Sequence, residues 1–127
     1  MTEIEVKGKL FLFGKLNVFD QQYVLGKLAT TLTELSDNKD KTSAFFIWQK
    51  GFAALGQAGF KELAMLLLSK VKHRQPISDG VSNVDTPIIN SGSFQFEWIE
   101  TDFLFFQELV MHAIEVNFNS FLATPNA

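Results

Sequence analysis

Apolar and polar residues alternate at the start of the chain, where Ile4 and Val6 stand between charged neighbours and Leu10 to Phe13 form a second apolar run. This period of two on either side of Lys7-Gly8 predicts a short β-hairpin that ends at Gly14. The period then lengthens. Asn17 is placed to cap a helix, and Asp20 falls in its first turn, where a carboxylate meets the positive end of the helix dipole. A helix is therefore predicted from about Val18 to Leu35. At about 100° per residue, Val24, Leu25, Leu28, Leu32 and Leu35 fall with Val18 and Ala29 in one arc of about 140°, a stripe suited to a core. Phe19 and Tyr23 lie on the other side among Gln22, Lys27, Thr30 and Glu34, one turn apart and within mutual reach. They are surplus to the stripe. Either they fold under the hairpin, covered by Phe11 or Phe13, or they meet a partner.

A polar break from Ser36 to Lys41 follows, with Thr42 or Ser43 as a cap for the next element. A second helix is predicted from about Ala44 to Leu55, carrying Phe45, Phe46, Trp48, Phe52 and Ala53, and Gly56 and Gly59 mark its end. A third runs from about Phe60 to Lys72 with Leu63, Leu66, Leu67 and Val71 as its apolar positions; Lys70, Lys72, His73 and Arg74 suit its negative C-terminus. From Gln75 to Gly92, Pro, Ser, Asn, Asp and Gly dominate, which predicts a long mobile loop over 76–93. Phe94, Phe96 and Trp98 alternate with Gln95 and Glu97 as a strand would. Thr101 is placed to cap a last helix, about Asp102 to Leu122, stopped by Thr124-Pro125. Its polar arc is narrow, comprising Glu108, His112, Glu115 and Asn119. Phe103, Phe106, Val110, Ala113, Ile114 and Phe121 face the other way, and Phe105, Leu109 and Val116 extend the apolar surface around one flank. Such a helix is either central to its own domain or packed on a second protein, and the pattern leaves both open.

These elements predict a mainly α fold: about four helices in one compact domain, residues 1–127, with a short N-terminal β-hairpin and a short strand before the last helix. Fourteen Phe against one Tyr and two Trp favour a core or a dry interface, because a Phe ring needs no polar partner. A formal charge of −3 argues against nucleic acid as a partner. Without cysteine there is no disulfide framework and no thiol nucleophile. Met1 to Lys9 lacks the apolar core of a signal peptide, and the run Leu63 to Leu68 is far shorter than the roughly 18 residues of a membrane span. A soluble protein of the cytoplasm is expected, with no membrane contact.

The residues offer little for catalysis. His73 and His112 sit in different elements with no carboxylate at a zinc-ligand spacing, and both are read as helix-surface residues. Glu97, Glu100 and Asp102 form an acidic group that the dipole of the following helix explains. No serine-nucleophile, phosphate-loop or dinucleotide motif is present. No enzyme activity, metal or cofactor is expected.

The hairpin, the Gly-Lys-Leu-Asn string of Gly14 to Asn17, the Phe-Asp-Gln-Gln helix opening and the Lys-Leu-Ala stretch at Lys27 to Ala29 resemble the short tail assembly chaperones of long-tailed bacteriophages and their prophages. The aromatic strand, the Asp-Phe-Leu-Phe-Phe-Gln helix start and the Asn117-Phe118-Asn119-Ser120-Phe121 close are similar to the end of the same proteins. The resemblance implies a mainly helical protein of the host cytoplasm, absent from the finished virion. It would coat the tape measure protein and help recruit tail tube subunits. A helical partner with apolar stripes calls for apolar surface on its chaperone, and Phe19, Tyr23, Phe105, Leu109 and Val116 are the candidate partner-binding residues. Self-association into a homo-oligomer is also expected. The alternative is a different small helical phage interaction module, of head-tail or regulatory type. Gene order would separate the two, since a chaperone gene should lie just upstream of a very long tape measure gene.

Overall fold

The computed structural model describes residues 1–37 and 41–122. The centre of the predicted break, 38–40, and the stop at Thr124-Pro125 lie outside them, as do the side chains of Thr42, Ser43, Phe45, Asn119 and Phe121.

The N-terminal hairpin forms as its alternation predicts. Strands β1 (Thr2–Val6) and β2 (Lys9–Phe13) pair with Ile4 opposite Phe11 and Val6 opposite Lys9. The turn residues Lys7 (φ 50°) and Gly8 (φ 81°) are both left-handed, as the tight turns that match strand twist require. Beyond the hairpin the architecture departs from expectation. β2 pairs on its other edge with β3 (Val71–Pro76), and β3 with β4 (Asn83–Pro87), giving a four-stranded antiparallel sheet in the order β1-β2-β3-β4.

Val71 to Arg74 is thus a strand, and its cations are not a helix C-terminus. Val71 and His73 point inward on the face they share with Phe11 and Phe13, while Lys72 and Arg74 point outward. On that outer face Arg74 donates Nε–H and Nη2–H to the Asp85 carboxylate at 2.8 and 3.0 Å and lies 3.6 Å from Glu3, tying β1, β3 and β4 together.

The predicted loop over 76–93 is also mostly structured. A turn at its start is pinned by Asp79 Oδ1, which accepts the Val81 and Ser82 amides at 2.9 and 2.8 Å. β4 follows, and then a two-stranded hairpin of β5 (Ile89–Asn90) and β6 (Ser93–Phe94), which turns through Ser91 and Gly92, both at positive φ. Between the two sheets Ile88 is fully buried. Its amide donates to Val71 O at 3.1 Å and its carbonyl accepts Gln95 N–H at 2.9 Å.

The helices are α1 (Val18–Ser36), α2 (Lys41–Ala54), α3 (Gly56–Leu68), α4 (Glu97–Glu100) and α5 (Phe103–Leu122). Asn17 caps α1 as expected, its Oδ1 accepting the Asp20 amide at 2.9 Å. Val24, Leu28 and Leu32 of the predicted stripe are fully buried, while Val18 at the arc's margin is exposed. The only strand in the predicted aromatic stretch is Ser93–Phe94; Trp98 lies in the short α4. Asp102, not Thr101, caps α5, accepting the Phe105 amide at 3.1 Å.

The expectation of about four helices with a hairpin and one strand is therefore corrected. Among the described residues five helices accompany six strands, in a four-stranded antiparallel sheet and a second, two-stranded one. The difference lies in residues 71–93, which form strands where the sequence predicts a helix end and a loop.

The core joins these layers. α5 packs against α3, α1 and β1 and contributes Phe105, Leu109, Val110, Ala113 and Ile114 to one cluster with Phe11, Phe13, Leu28, Leu32, Leu67 and Ile88. The helix leaves regular geometry at Phe118 (φ −128°, ψ 24°). Just before that kink, Asn117 Oδ1 accepts the Leu16 amide at 2.8 Å and its Nδ2–H donates to Ala113 O at 2.8 Å. No single described helix is long and apolar enough to cross a membrane.

Candidate partner-binding site

The five candidate partner-binding residues do not share one surface. Phe19 is 83% exposed, and the hairpin does not cover it. Tyr23, one turn on, is partly exposed; its hydroxyl donates to Glu62 on α3, and Lys27 Nζ stands 5.5 Å from its ring centroid. The Glu62 hydrogen bond raises the phenol's pKa. Phe105 and Leu109, by contrast, are 5% and 0% exposed. Phe105 packs edge-on against Phe11 and Trp98, so this flank of α5 is core and offers no free face. Val116 is half-buried against the same cluster. The extra apolar surface of this flank thus serves its own domain, and among the described side chains of α5 the large exposed apolar groups are Phe103 and Leu104 at its start.

Neither histidine is a simple helix-surface residue. His73 is buried in the sheet among Phe11, Phe96 and Trp98, with ring centroids 5.1 to 5.2 Å away, and its Nδ1 has no hydrogen-bond partner. Burial, helped by the charge of Lys9, lowers its pKa. His112, on α5, meets the Phe13 ring edge and bonds through Nδ1 to Glu115 at 3.1 Å, which raises its pKa. Among the described residues no three His, Cys, Asp or Glu side chains gather as a metal site would require.

A concave surface forms where sequence periodicity gives no hint of one. The axes of α2 and α3 differ by 110° across Leu55, with Gly56 at φ 75° making the elbow. The start of α5 lies against this elbow and leaves a groove of about 280 Å³ lined by Gln49, Phe52, Ala53, Gly56, Gln57, Phe60, Phe103 and Gln107. Two of its lining rings, Phe52 and Phe60, meet at 4.7 Å and belong to a longer packed run, in which Trp48 stacks on Phe52 at 5.5 Å and Phe60 meets Phe106 edge-on at 6.0 Å. Beyond the ridge of Gln57 and Phe60 a second hollow of about 600 Å³ is bounded by Lys61, Met65, Phe94 and Glu100.

Two amides beside the groove are buried without partners. Gln107 is only 4% exposed, yet neither Oε1 nor Nε2 of its carboxamide has a hydrogen-bond partner, and the buried Nε2 of Gln49 has none either. Leaving such a group unpaired costs about 1–3 kcal/mol. The N-terminus of α3 opens at the same place, where Leu55 provides no side-chain cap. A lone polar residue in the apolar arc of α5 was the signal available for this site, and it carries little information until the elbow is known.

An α+β domain with an apolar groove, exposed rings and buried, unpartnered amides has the equipment of a protein-binding module. The chain belongs to the family of phage tail assembly chaperone proteins (TAC), whose model matches residues 7–127. Comparison with curated proteins and with solved structures gave no match.

Proposed function

We propose that this tail assembly chaperone binds the tape measure protein in the host cytoplasm, helps recruit tail tube subunits, and is absent from the mature virion. The observation that carries this reading is the exposure of large apolar groups, with Phe19 at 83% beside Val18 and Tyr23, and Phe103 with Leu104 at the start of α5. Isolated apolar residues on a surface are ordinary, but clustered rings mark sites of association. A long helical protein with apolar stripes fits such a surface by laying its apolar face against it.

Co-expression with the long helical tail protein encoded alongside, followed by size-exclusion chromatography, tests the reading. The expected result is a shared peak for the two native chains that the double variant Phe19→Ser, Tyr23→Ser diminishes while staying folded. Separate elution of the native chains at micromolar concentration would refute the proposal.

A further inference from the structure

Among the described residues the four-stranded sheet ends at β1 and at β4, with no further strand paired to either. Main-chain alternation fixes what each edge presents. Ile77 N–H donates to Ser82 O at 3.0 Å and Ile88 N–H to Val71 O at 3.1 Å, so within β4 the residues bonded to β3 are Val84 and Thr86. Asn83 and Asp85 therefore turn their N–H and C=O groups to the open edge, and every β4 residue except the half-buried Thr86 is exposed. At the other edge the two-residue turn makes Val6 and Lys9 a bonded pair, which leaves the main chains of Glu3 and Glu5 outward. Such rows recruit a further strand unless the pairing is opposed. Charge decides between the occupants. An antiparallel β1–β1 contact that uses every free group would set Glu3 opposite Glu5 twice, and β1 on β4 would set Glu3 opposite Asp85; like charges directly across a ladder are destabilising. β4 on β4 instead sets Asn83 opposite Asp85 of the second copy, where the carboxamide N–H can donate to the carboxylate. The same register puts Val84, exposed at 46% on the other face of the strand, against Val84 of the second copy as a close, non-bonded pair. Pro87, which has no N–H to give, falls past the end of the ladder.

We propose that two copies of this chain join β4 to β4, antiparallel about a two-fold axis at Val84, so that Asn83 and Asp85 of each satisfy the other's main chain and the two sheets run on as one. The contact is a single short strand wide, smaller than a stable dimer interface, so the pair forms and parts readily at high micromolar concentration. It goes beyond the tape measure reading and does not depend on it. Association through the exposed rings of α1 and α5 would be a second contact, which Phe19→Glu and Phe103→Glu report separately.

The test uses the full-length chain in sedimentation equilibrium from about 10 to about 500 µM, with amide exchange of the ¹⁵N-labelled protein read by NMR at both ends of that range. The native chain is expected to dimerise. Its Asn83 and Asp85 amides should gain protection with concentration, while those of Val84 and Thr86, already bonded to β3, should not. Val84→Lys and Val84→Glu alter an exposed side chain and should keep the native circular dichroism. Each should weaken self-association about tenfold, because the two-fold axis sets the new charge against its own copy and removes the Val84 pair. An equimolar mixture of the two variants should associate again, since lysine then faces glutamate. A native chain that remains monomeric throughout overturns the proposal. So does self-association that both variants keep at native strength, or a mixture that associates no better than either variant alone, because Val84 would then not stand at the axis. The exchange pattern needs no variant: a dimer that forms without protecting Asn83 and Asp85 is joined elsewhere, and the proposal fails.

Discussion

His73 shows how one residue's surroundings set a sign that its sequence position conceals. Its pKa lies below the usual 6.5 because the ring is buried among Phe11, Phe96 and Trp98 and lies near Lys9. Between the folded value and 6.5 the unfolded chain binds the extra proton, so acidification favours unfolding. The stabilising contribution is complete above about pH 6.5 and is lost as the pH falls through the folded value. His112 has the opposite sign. Its pKa is raised, chiefly by the Glu115 hydrogen bond, so its contribution is present below about pH 6.5 and is lost as the pH rises through the folded value. The two effects oppose each other in the native chain, and a variant separates them. His73→Phe should gain stability relative to the native chain as the pH is lowered from about 7.5 to 5, measured by urea unfolding midpoints. A difference that stays constant over that range would mean that His73 does not titrate with folding. Asn117 makes a second prediction at this scale. Its side chain satisfies the Leu16 amide at the entry to α1 and anchors on Ala113 one turn back, so Asn117→Ala leaves a buried N–H unpaired. The expected loss is about 1–3 kcal/mol, read from the same denaturation curves, and a loss below about 0.3 kcal/mol would show that the bond is replaceable.

Elements differed in how much of themselves the sequence announced, and the difference follows burial. The first hairpin and α1 are legible because each buries one face and exposes the other, so Ile4, Val6, Leu28 and Leu32 stand out at the expected periods. β4 is an edge strand whose five residues, Asn83 to Pro87, are all exposed except the half-buried Thr86; no apolar alternation exists there to be seen. β5 and β6 are two residues each, too short for any periodicity. His73 inside β3 hid a genuine alternation by placing a titratable ring at an inward position. The candidate groove was unreadable for a different reason: Gln49, Gln57 and Gln107 converge only through the elbow at Gly56, which no helix wheel encodes. Because residues 83–94 hold Ile88 in the core, deleting them should unfold the protein. The Ile88 amide should exchange slowly, and exchange as fast as that of Val81 would restore the mobile-loop reading. The α1–α2 contact supplies a sharper test. A Cβ on Gly51 would overlap the Thr31 side chain, above all its Oγ1, so Gly51→Ala is expected to cost about 1–3 kcal/mol, and Thr31→Ala, which removes that oxygen and the methyl, should restore part of it in the double variant.

For the molecule as a whole, the enclosed and the exposed apolar groups are different residues, and that separation makes the proposed partner surface testable. Leu109 is wholly enclosed by the core, so Leu109→Glu would bury an unpaired charge and should abolish the folded state. Phe19 stands 83% exposed on α1, where a carboxylate near the helix N-terminus costs little, so Phe19→Glu should keep the native circular dichroism and unfolding midpoint. If the exposed rings mediate self-association as well as partner binding, Phe19→Glu should weaken the homo-oligomer by at least about tenfold, roughly 1.4 kcal/mol, in sedimentation equilibrium across micromolar concentrations. Phe103→Glu, at the rim of the groove on α5, supplies the comparison. Loss of association in one variant alone assigns the oligomer contact to that side of the molecule, leaving the other exposed ring for the tail protein. A native chain that stays monomeric to high micromolar concentration would instead leave both surfaces to heterologous partners and refute the expected self-association.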